Sequence, residues 1–334
     1  MMRKLKILNT IGKKYARPAK AILESCGEVD YAILSEREIR AKIADYDVLV
    51  IGLKPSIGRE ALSRAEKLKI IATATTGLDH IDEDYADSKG IKILSLKGET
   101  EFLNQVTGTA ELAFGLMLDL MRNISASNDS VKHGRWSREE FIGHNLIDKT
   151  LGIVGFGRLW RMMAKFARGF SMKAIAFDPY VAGRVFKKLR VKRAGLSFLL
   201  KNSDIISLHL PLNHETENLF TSREFNQMKK SSYLINTSRG KVVNESDLLK
   251  SLKQKKIAGY ATDVLTGEMD FNGNSRHHPL VEYSRVNKNL IITPHIGGAT
   301  YESREATDIL IAKKIREATR TMSSRPLGVK AGRG

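Results

Sequence analysis

Short apolar runs recur along this chain, each followed by a stretch of helical character. That alternation constrains the fold more than any other feature. One set lies at residues 4–9, 46–52, 68–73 and 91–94; a second lies at 150–155, 173–177, 205–208, 233–236, 258–262 and 290–293. Strands that alternate with helices read as βαβ units, which build parallel sheets. A chain of 334 residues at roughly 150 per domain suggests two domains. The first set occupies residues 1–98 and the second 99–296. A final helix over 303–320 is basic at its C-terminal end; folded back on the first set it would make that domain discontinuous, 1–98 plus 297–334, beside a continuous one, 99–296, and the pattern alone leaves this open. The last residues, 321–334, read as frayed.

The second set opens on Leu151-Gly152-Ile153-Val154-Gly155-Phe156-Gly157-Arg158-Leu159-Trp160, where a strand becomes a helix. Gly155 allows a tight turn, and Gly157 lets a pyrophosphate approach the backbone. The amides of Arg158 and Leu159 then face the pyrophosphate at a helix N-terminus. Asp178, followed by Pro179, lies 21 residues past Gly157, near the spacing of about 20 expected for a carboxylate on the ribose 2′-hydroxyl. Such a carboxylate repels a 2′-phosphate and favours NAD (NADH) over NADP. The expected fold class is therefore α/β, with two Rossmann-like doubly wound parallel-sheet domains. Trp160 departs from the pattern, because the third position calls for a small residue so that helix and strand pack closely. An indole there has to fill a gap, displace the helix or invade the cofactor space.

Three later strands end in polar residues. Asn236-Thr237-Ser238-Arg239-Gly240 presents one guanidinium, Asp263 to Glu268 presents acids, and Thr293-Pro294-His295-Ile296-Gly297-Gly298 presents an imidazole. Ligands of open α/β sheets bind outside the carboxyl ends of the strands. Hydride transfer to a ketone needs a proton donor at the oxygen and a cation for the neighbouring carboxylate. Histidine titrates near neutrality, a carboxylate beside it stabilises imidazolium, and arginine forks onto a carboxylate.

On these motifs the chain resembles the D-2-hydroxyacid dehydrogenase family, which includes phosphoglycerate dehydrogenase-like and glyoxylate reductase-like enzymes. The resemblance covers nearly the whole chain and extends to Thr76-Gly77-Leu78-Asp79-His80-Ile81-Asp82, Thr109-Ala110-Glu111-Leu112 and Leu208-His209-Leu210-Pro211. It implies an NAD-dependent oxidoreductase interconverting a 2-oxo acid and a D-2-hydroxy acid. Arg239 would bind substrate, His295 would act as acid/base and Glu268 as its partner. Backbone near Lys54, Gly77 and Leu78 would grip the substrate carboxylate. Thr109, His209, Pro211, Thr237, Asp263 and Gly298 would line the cofactor beside Gly155, Phe156, Gly157, Arg158, Leu159, Asp178 and Pro179. The implied domains are interleaved, with the active site in the cleft between them. The family also implies a homodimer through the cofactor domains, which suits the apolar helix at 104–122 and the loop around Trp136. C-terminal-binding-protein corepressors resemble the family and keep the same trio. A non-enzymatic NAD-sensing binding protein is thus the alternative.

Composition narrows the rest. A single cysteine, Cys26, excludes an intramolecular disulfide framework and Cys-rich zinc modules. His277 and His278 are adjacent without a third ligand at useful spacing, so they read as loop residues and no metal is expected. The net charge of +18 attracts anions, but the basic runs at 184–193 and 311–334 lack interleaved aromatics and read as solvated faces. No helix-turn-helix, RNP-like or zinc pattern points to specific nucleic-acid binding. No apolar run is long enough to span a bilayer, and no cleavable leader is evident. The expectation is a soluble, cytoplasmic enzyme whose partner is a small anionic 2-oxo or 2-hydroxy acid.

Overall fold

The computed structural model describes residues 4–323 apart from Phe156, Arg190 and Asn272. The chain forms two compact units: described residues up to Phe102 together with those from Tyr301 onward, and Leu103–Thr300.

The first unit holds five strands: β1 (Leu5–Asn9), β2 (Gly27–Tyr31), β3 (Val48–Ile51), β4 (Ile70–Thr73) and β5 (Lys92–Leu94). Their order is β2-β1-β3-β4-β5, and each pairing is parallel. β3 and β4 are buried along their whole length, as expected of central strands in a parallel sheet covered on both faces. The order reverses between β1 and β3, the kind of switch point at which α/β sheets bind ligands. The loop holding Lys54 leaves the sheet just beyond β3. It is tied to the Gly77–Leu78 loop by Ile57 N donating to His80 O at 2.7 Å and Asp82 N to Ile57 O at 3.0 Å.

The second unit holds β6 (Thr150–Val154), β7 (Lys173–Phe177), β8 (Lys192–Arg193), β9 (Ile205–Leu208), β10 (Tyr233–Asn236), β11 (Gly259–Thr262) and β12 (Leu290–Ile292). The order is β12-β11-β10-β9-β6-β7-β8, again parallel throughout. Here the switch point falls between β6 and β9, so the glycine turn after β6 and His209 after β9 meet at one crevice.

The helix expected over 104–122 starts at Gly108 and ends at Arg122. Its apolar face goes into the core of its own unit, where Ala110, Ala113, Leu116, Met117, Leu120 and Met121 are buried. Intramolecular packing accounts for these buried positions. The same core takes Trp160, which is fully buried. The helix Arg158–Gly169 packs on Gly108–Arg122, and the indole shares its cluster with Ala110, Ala113, Met163 and Ile153. The indole therefore lies in the core.

The final helix runs from Tyr301 to Ser323, somewhat longer than read from the sequence. It packs on the helix Arg17–Glu24 and on β4 and β5. Residues 324–334, within the tail expected to fray, lie outside the described residues. Among the described residues no helix is long and apolar enough to cross a membrane.

Candidate active site

The glycine turn is shaped by contact. Gly155 has φ +89°, and a Cβ there would come within 2.4 Å of His209 O, so only glycine fits. A Cβ on Gly157 would meet nothing within 4 Å, leaving open space at the N-terminus of the helix Arg158–Gly169. Phe156 lies outside the described residues. Arg158 also has a task that the sequence reading did not foresee. Its Nη1 donates to Leu103 O at 3.0 Å and Val106 O at 2.6 Å, fastening the turn's helix to the start of the unit. Burial pulls its pKa down. Leu159 is half-buried against the core.

Beyond β7 and β8 lies a groove of about 360 Å³ lined by Phe177, Asp178, Pro179, Arg193, Ala194 and Gly195. Asp178 Oδ1 accepts from Tyr180 N at 2.8 Å and Val181 N at 3.2 Å, which fixes the carboxylate at the rim. Arg193 belongs to the basic run at 184–193; its lining position follows from the two-residue strand β8, too short to detect in sequence.

Two buried polar atoms at the crevice have no protein partner: His209 Nδ1 and Thr237 Oγ1. His209 Nε2 meets Ser207 Oγ at 2.9 Å, and burial lowers its pKa to about 4. The ring is neutral at neutral pH and serves as a hydrogen-bonding group. Buried polar groups left unpaired are costly, so these two atoms suit a polar ligand lying over the ends of β9 and β10. Together with the glycine turn they fit a dinucleotide. Pro211 O accepts from Thr216 Oγ1 at 2.6 Å, which shapes the loop after His209.

The trio expected to carry chemistry lies on one side of this sheet's carboxyl edge. His295 Nδ1 is 2.6 Å from Glu268 Oε1, and both side chains are only partly exposed. His295 sits at φ +55°, a left-handed conformation that costs about 1–3 kcal/mol in a non-glycine residue. Asp263 holds it there. Its backbone O accepts from His295 N at 2.9 Å. Its Oδ1 accepts from Thr293 Oγ1 at 2.6 Å and Ile296 N at 2.8 Å, and its Oδ2 from Gly297 N at 2.7 Å. Burial raises the Asp263 pKa, opposed by those donors and by His295. A Cβ on Gly297 would press on Asp263 Oδ2 and on Thr109, each at 3.1 Å, which puts Thr109 beside the same loop. Gly298 is exposed at its end.

Arg239 leaves β10 through a turn folded by Asn236, whose Oδ1 accepts from Ser238 N at 3.0 Å and whose Nδ2 donates to Arg239 O at 3.0 Å. Arg239 Nη1 donates to Ser238 O at 2.8 Å. Gly240 lets this turn lie on the segment leading to Glu268, since a Cβ would fall 2.3 Å from Leu265 C and Thr266 N. Arg239, Glu268 and His295 thus share one scaffold. Lys54, Gly77 and Leu78 lie in the first unit, where Thr75 Oγ1 donates to Gly77 O at 2.8 Å and Leu78 is buried. Among the described residues no cluster of three or more metal-capable side chains occurs.

A doubly wound sheet with a glycine turn at its switch point defines a nucleotide-binding α/β protein, and here a His–Glu pair lies along the sheet's carboxyl edge. Residues 114–297 match the family model for the D-isomer specific 2-hydroxyacid dehydrogenase NAD binding domain. The chain is 38% identical over 281 residues to a glyoxylate reductase of Thermococcus litoralis, covering 82% of this chain and 81% of that one. It is 35% identical over 301 residues to a D-3-phosphoglycerate dehydrogenase of Methanocaldococcus jannaschii, covering 90% of this chain but 55% of that one; it spans about half the length of the phosphoglycerate dehydrogenases it matches. The structure of a D-lactate dehydrogenase from Aquifex aeolicus complexed with NAD and lactic acid superposes with a TM-score of 0.82 at 26% identity, covering 95% of this chain and 96% of that one. The chain belongs to the D-isomer specific 2-hydroxyacid dehydrogenase family, and its second unit is the NAD-binding domain.

Proposed function

We propose that this chain is an NAD-dependent oxidoreductase that interconverts a 2-oxo acid and its D-2-hydroxy acid. The observation that carries the reading is the 2.6 Å contact between His295 Nδ1 and Glu268 Oε1, on a scaffold shared with Arg239. Bound NADH supplies the hydride for the carbonyl carbon. Gly155, Phe156, Gly157, Arg158 and Leu159 hold the pyrophosphate, and Asp178 with Pro179 holds the adenosine ribose. Thr109, His209, Pro211, Thr237, Asp263 and Gly298 line the remainder.

The chain's own residues manage charge and proton. Arg239 presents its guanidinium to the substrate carboxylate and carbonyl, and the backbone around Lys54, Gly77 and Leu78 holds the carboxylate. His295 directs Nδ1–H to Glu268, leaving Nε2 to give its proton to the carbonyl oxygen and regain it in the reverse direction. Glu268 stabilises the imidazolium and fixes its tautomer. In this reading residues 1–98 with 297–334 form the substrate domain, and the protein is a cytoplasmic homodimer.

The test is NADH oxidation with glyoxylate, hydroxypyruvate, pyruvate and larger 2-oxo acids, run beside His295→Ala. Turnover of at least one acid is expected. The variant should lose on the order of 10²–10⁴-fold in kcat, the usual contribution of a general acid, with NADH binding retained. Bound NADH without turnover of any acid, or a variant within a few-fold of the parent, would refute the proposal.

A further inference from the structure

Glu268 is held in place from both sides by residues outside the trio. On the upstream side, Thr266 N donates to Glu245 Oε1 at 2.8 Å. Glu245 is the first residue of the helix Glu245–Lys253. Its other oxygen, Oε2, lies 3.2 Å from His278 Nε2, with both side chains mostly buried. On the downstream side, the His278 ring packs edge-on against Phe271 at 5.6 Å between centroids, and Phe271 closes the short 3-10 turn that Glu268 opens. His278 Nδ1 is buried with no hydrogen-bond partner, so Nε2 makes the ring's polar contact. Between these two anchors Gly267 turns at φ +74°, which leaves Glu268 at the tip of a segment pinned at Thr266 and Phe271.

We propose that His278 and Glu245 form a second His–Glu pair that positions Glu268 against His295. The inference rests on the dehydrogenase reading above and deepens it. Neither His278 nor Glu245 touches the reacting atoms. They set the distance at which Glu268 supports imidazolium on His295; Asp263, from the end of β11, also interacts with His295, and Arg239 comes from the end of β10 on the same scaffold. A displacement of a catalytic group by about 1 Å can cost on the order of 10²-fold in rate, so a loosened Glu268 shows itself in kcat.

The full chain is assayed with NADH and whichever 2-oxo acid the panel identifies, comparing the parent with His278→Phe and His278→Gln. Phenylalanine keeps a ring against Phe271 and removes the donor to Glu245; glutamine restores a donor. His278→Phe should lose on the order of 10-fold in kcat, with KM and the NADH dissociation constant within a few-fold of the parent. The basic limb of its kcat/KM profile for ketone reduction should move to lower pH, because a less well supported imidazolium gives up its proton more readily. His278→Gln should recover most of both effects. If His278→Phe does not fold, Glu245→Gln, which keeps an acceptor for Thr266 N, should show the same pH displacement. A parent-like kcat and pH profile would overturn the inference, as would a loss that falls equally on NADH binding and is not rescued by glutamine. A parent that turns over no 2-oxo acid defeats the dehydrogenase reading itself and takes this inference with it.

Discussion

At the scale of single residues, a side chain's neighbours decide what it does. Trp160 stands where a nucleotide-binding turn ordinarily has a small residue, yet the indole is completely buried, in the core cluster that also holds Ala110, Ala113 and Met163. Removing a buried aromatic leaves a cavity and costs about 3–5 kcal/mol. Trp160→Ala should therefore lower stability by that amount in denaturant titration and leave NADH affinity within a few-fold of the parent. A marked tightening of NADH binding would show that the indole encroaches on the cofactor. The sequence could name Trp160 as exceptional but could not place it in the core, because the helix that packs on its own, Gly108–Arg122, lies some fifty residues upstream. His295, Glu268 and Arg239 were legible because each follows an apolar strand. His278 was not: its partner Glu245 and its neighbour Phe271 come together only through folding. The role of the Arg158 side chain, gripping Leu103 and Val106 carbonyls, has no sequence signal, since any long basic residue at a helix start looks solvated.

At the scale of elements, the central strands and the edge strands β5 and β12 were readable, but the edge strands β2 and β8 were not. β9 is buried along its whole length and β10 at all but its first residue, as expected of strands covered on both faces. β2 and β8 lie at sheet edges, where polar residues are tolerated and the apolar pattern dissolves. The terminal helix Tyr301–Ser323 shows how such an element is secured. Ala16 N donates to Asp308 Oδ2 at 3.0 Å and Tyr15 Oη to Asp308 O at 3.1 Å. Burial raises the Asp308 pKa from 3.8 to about 6, opposed by the Ala16 amide and Arg304. With the folded pKa above the unfolded one, the folded chain binds more protons between those values, so this group's contribution weakens as pH rises from about 4 to about 6. At 1.36 kcal/mol per pKa unit the change is roughly 1–3 kcal/mol. Asp308→Asn removes the titration. The parent's stability should therefore fall relative to the variant's between pH 4 and pH 6.5 in parallel melts, and a constant difference across that range would contradict the assignment.

At the scale of the whole molecule, the apolar surface left uncovered by folding matters most. The helix Gly108–Arg122 is consumed by its own core, but the segment after it is not. Trp136 is 90% exposed and Ile142 73% exposed, with Ile124 and Ile147 also exposed on the same stretch of the second unit. Large apolar side chains grouped on one stretch mark an interaction surface, and tryptophan is the residue type most often found to dominate binding energy at interfaces. In the homodimer proposed above, this stretch supplies the contact. The parent should run as a dimer in light scattering at micromolar concentration. Trp136→Glu should weaken association about 10- to 100-fold, the effect of losing a hot-spot residue worth some 2 kcal/mol. Because Trp136 is remote in sequence from the His295 loop and makes no core contact, the variant's melting temperature at matched low concentration should stay close to the parent's. A parent that is monomeric across the micromolar range would refute the homodimer, and a Trp136→Glu variant as dimeric as the parent would place the contact elsewhere.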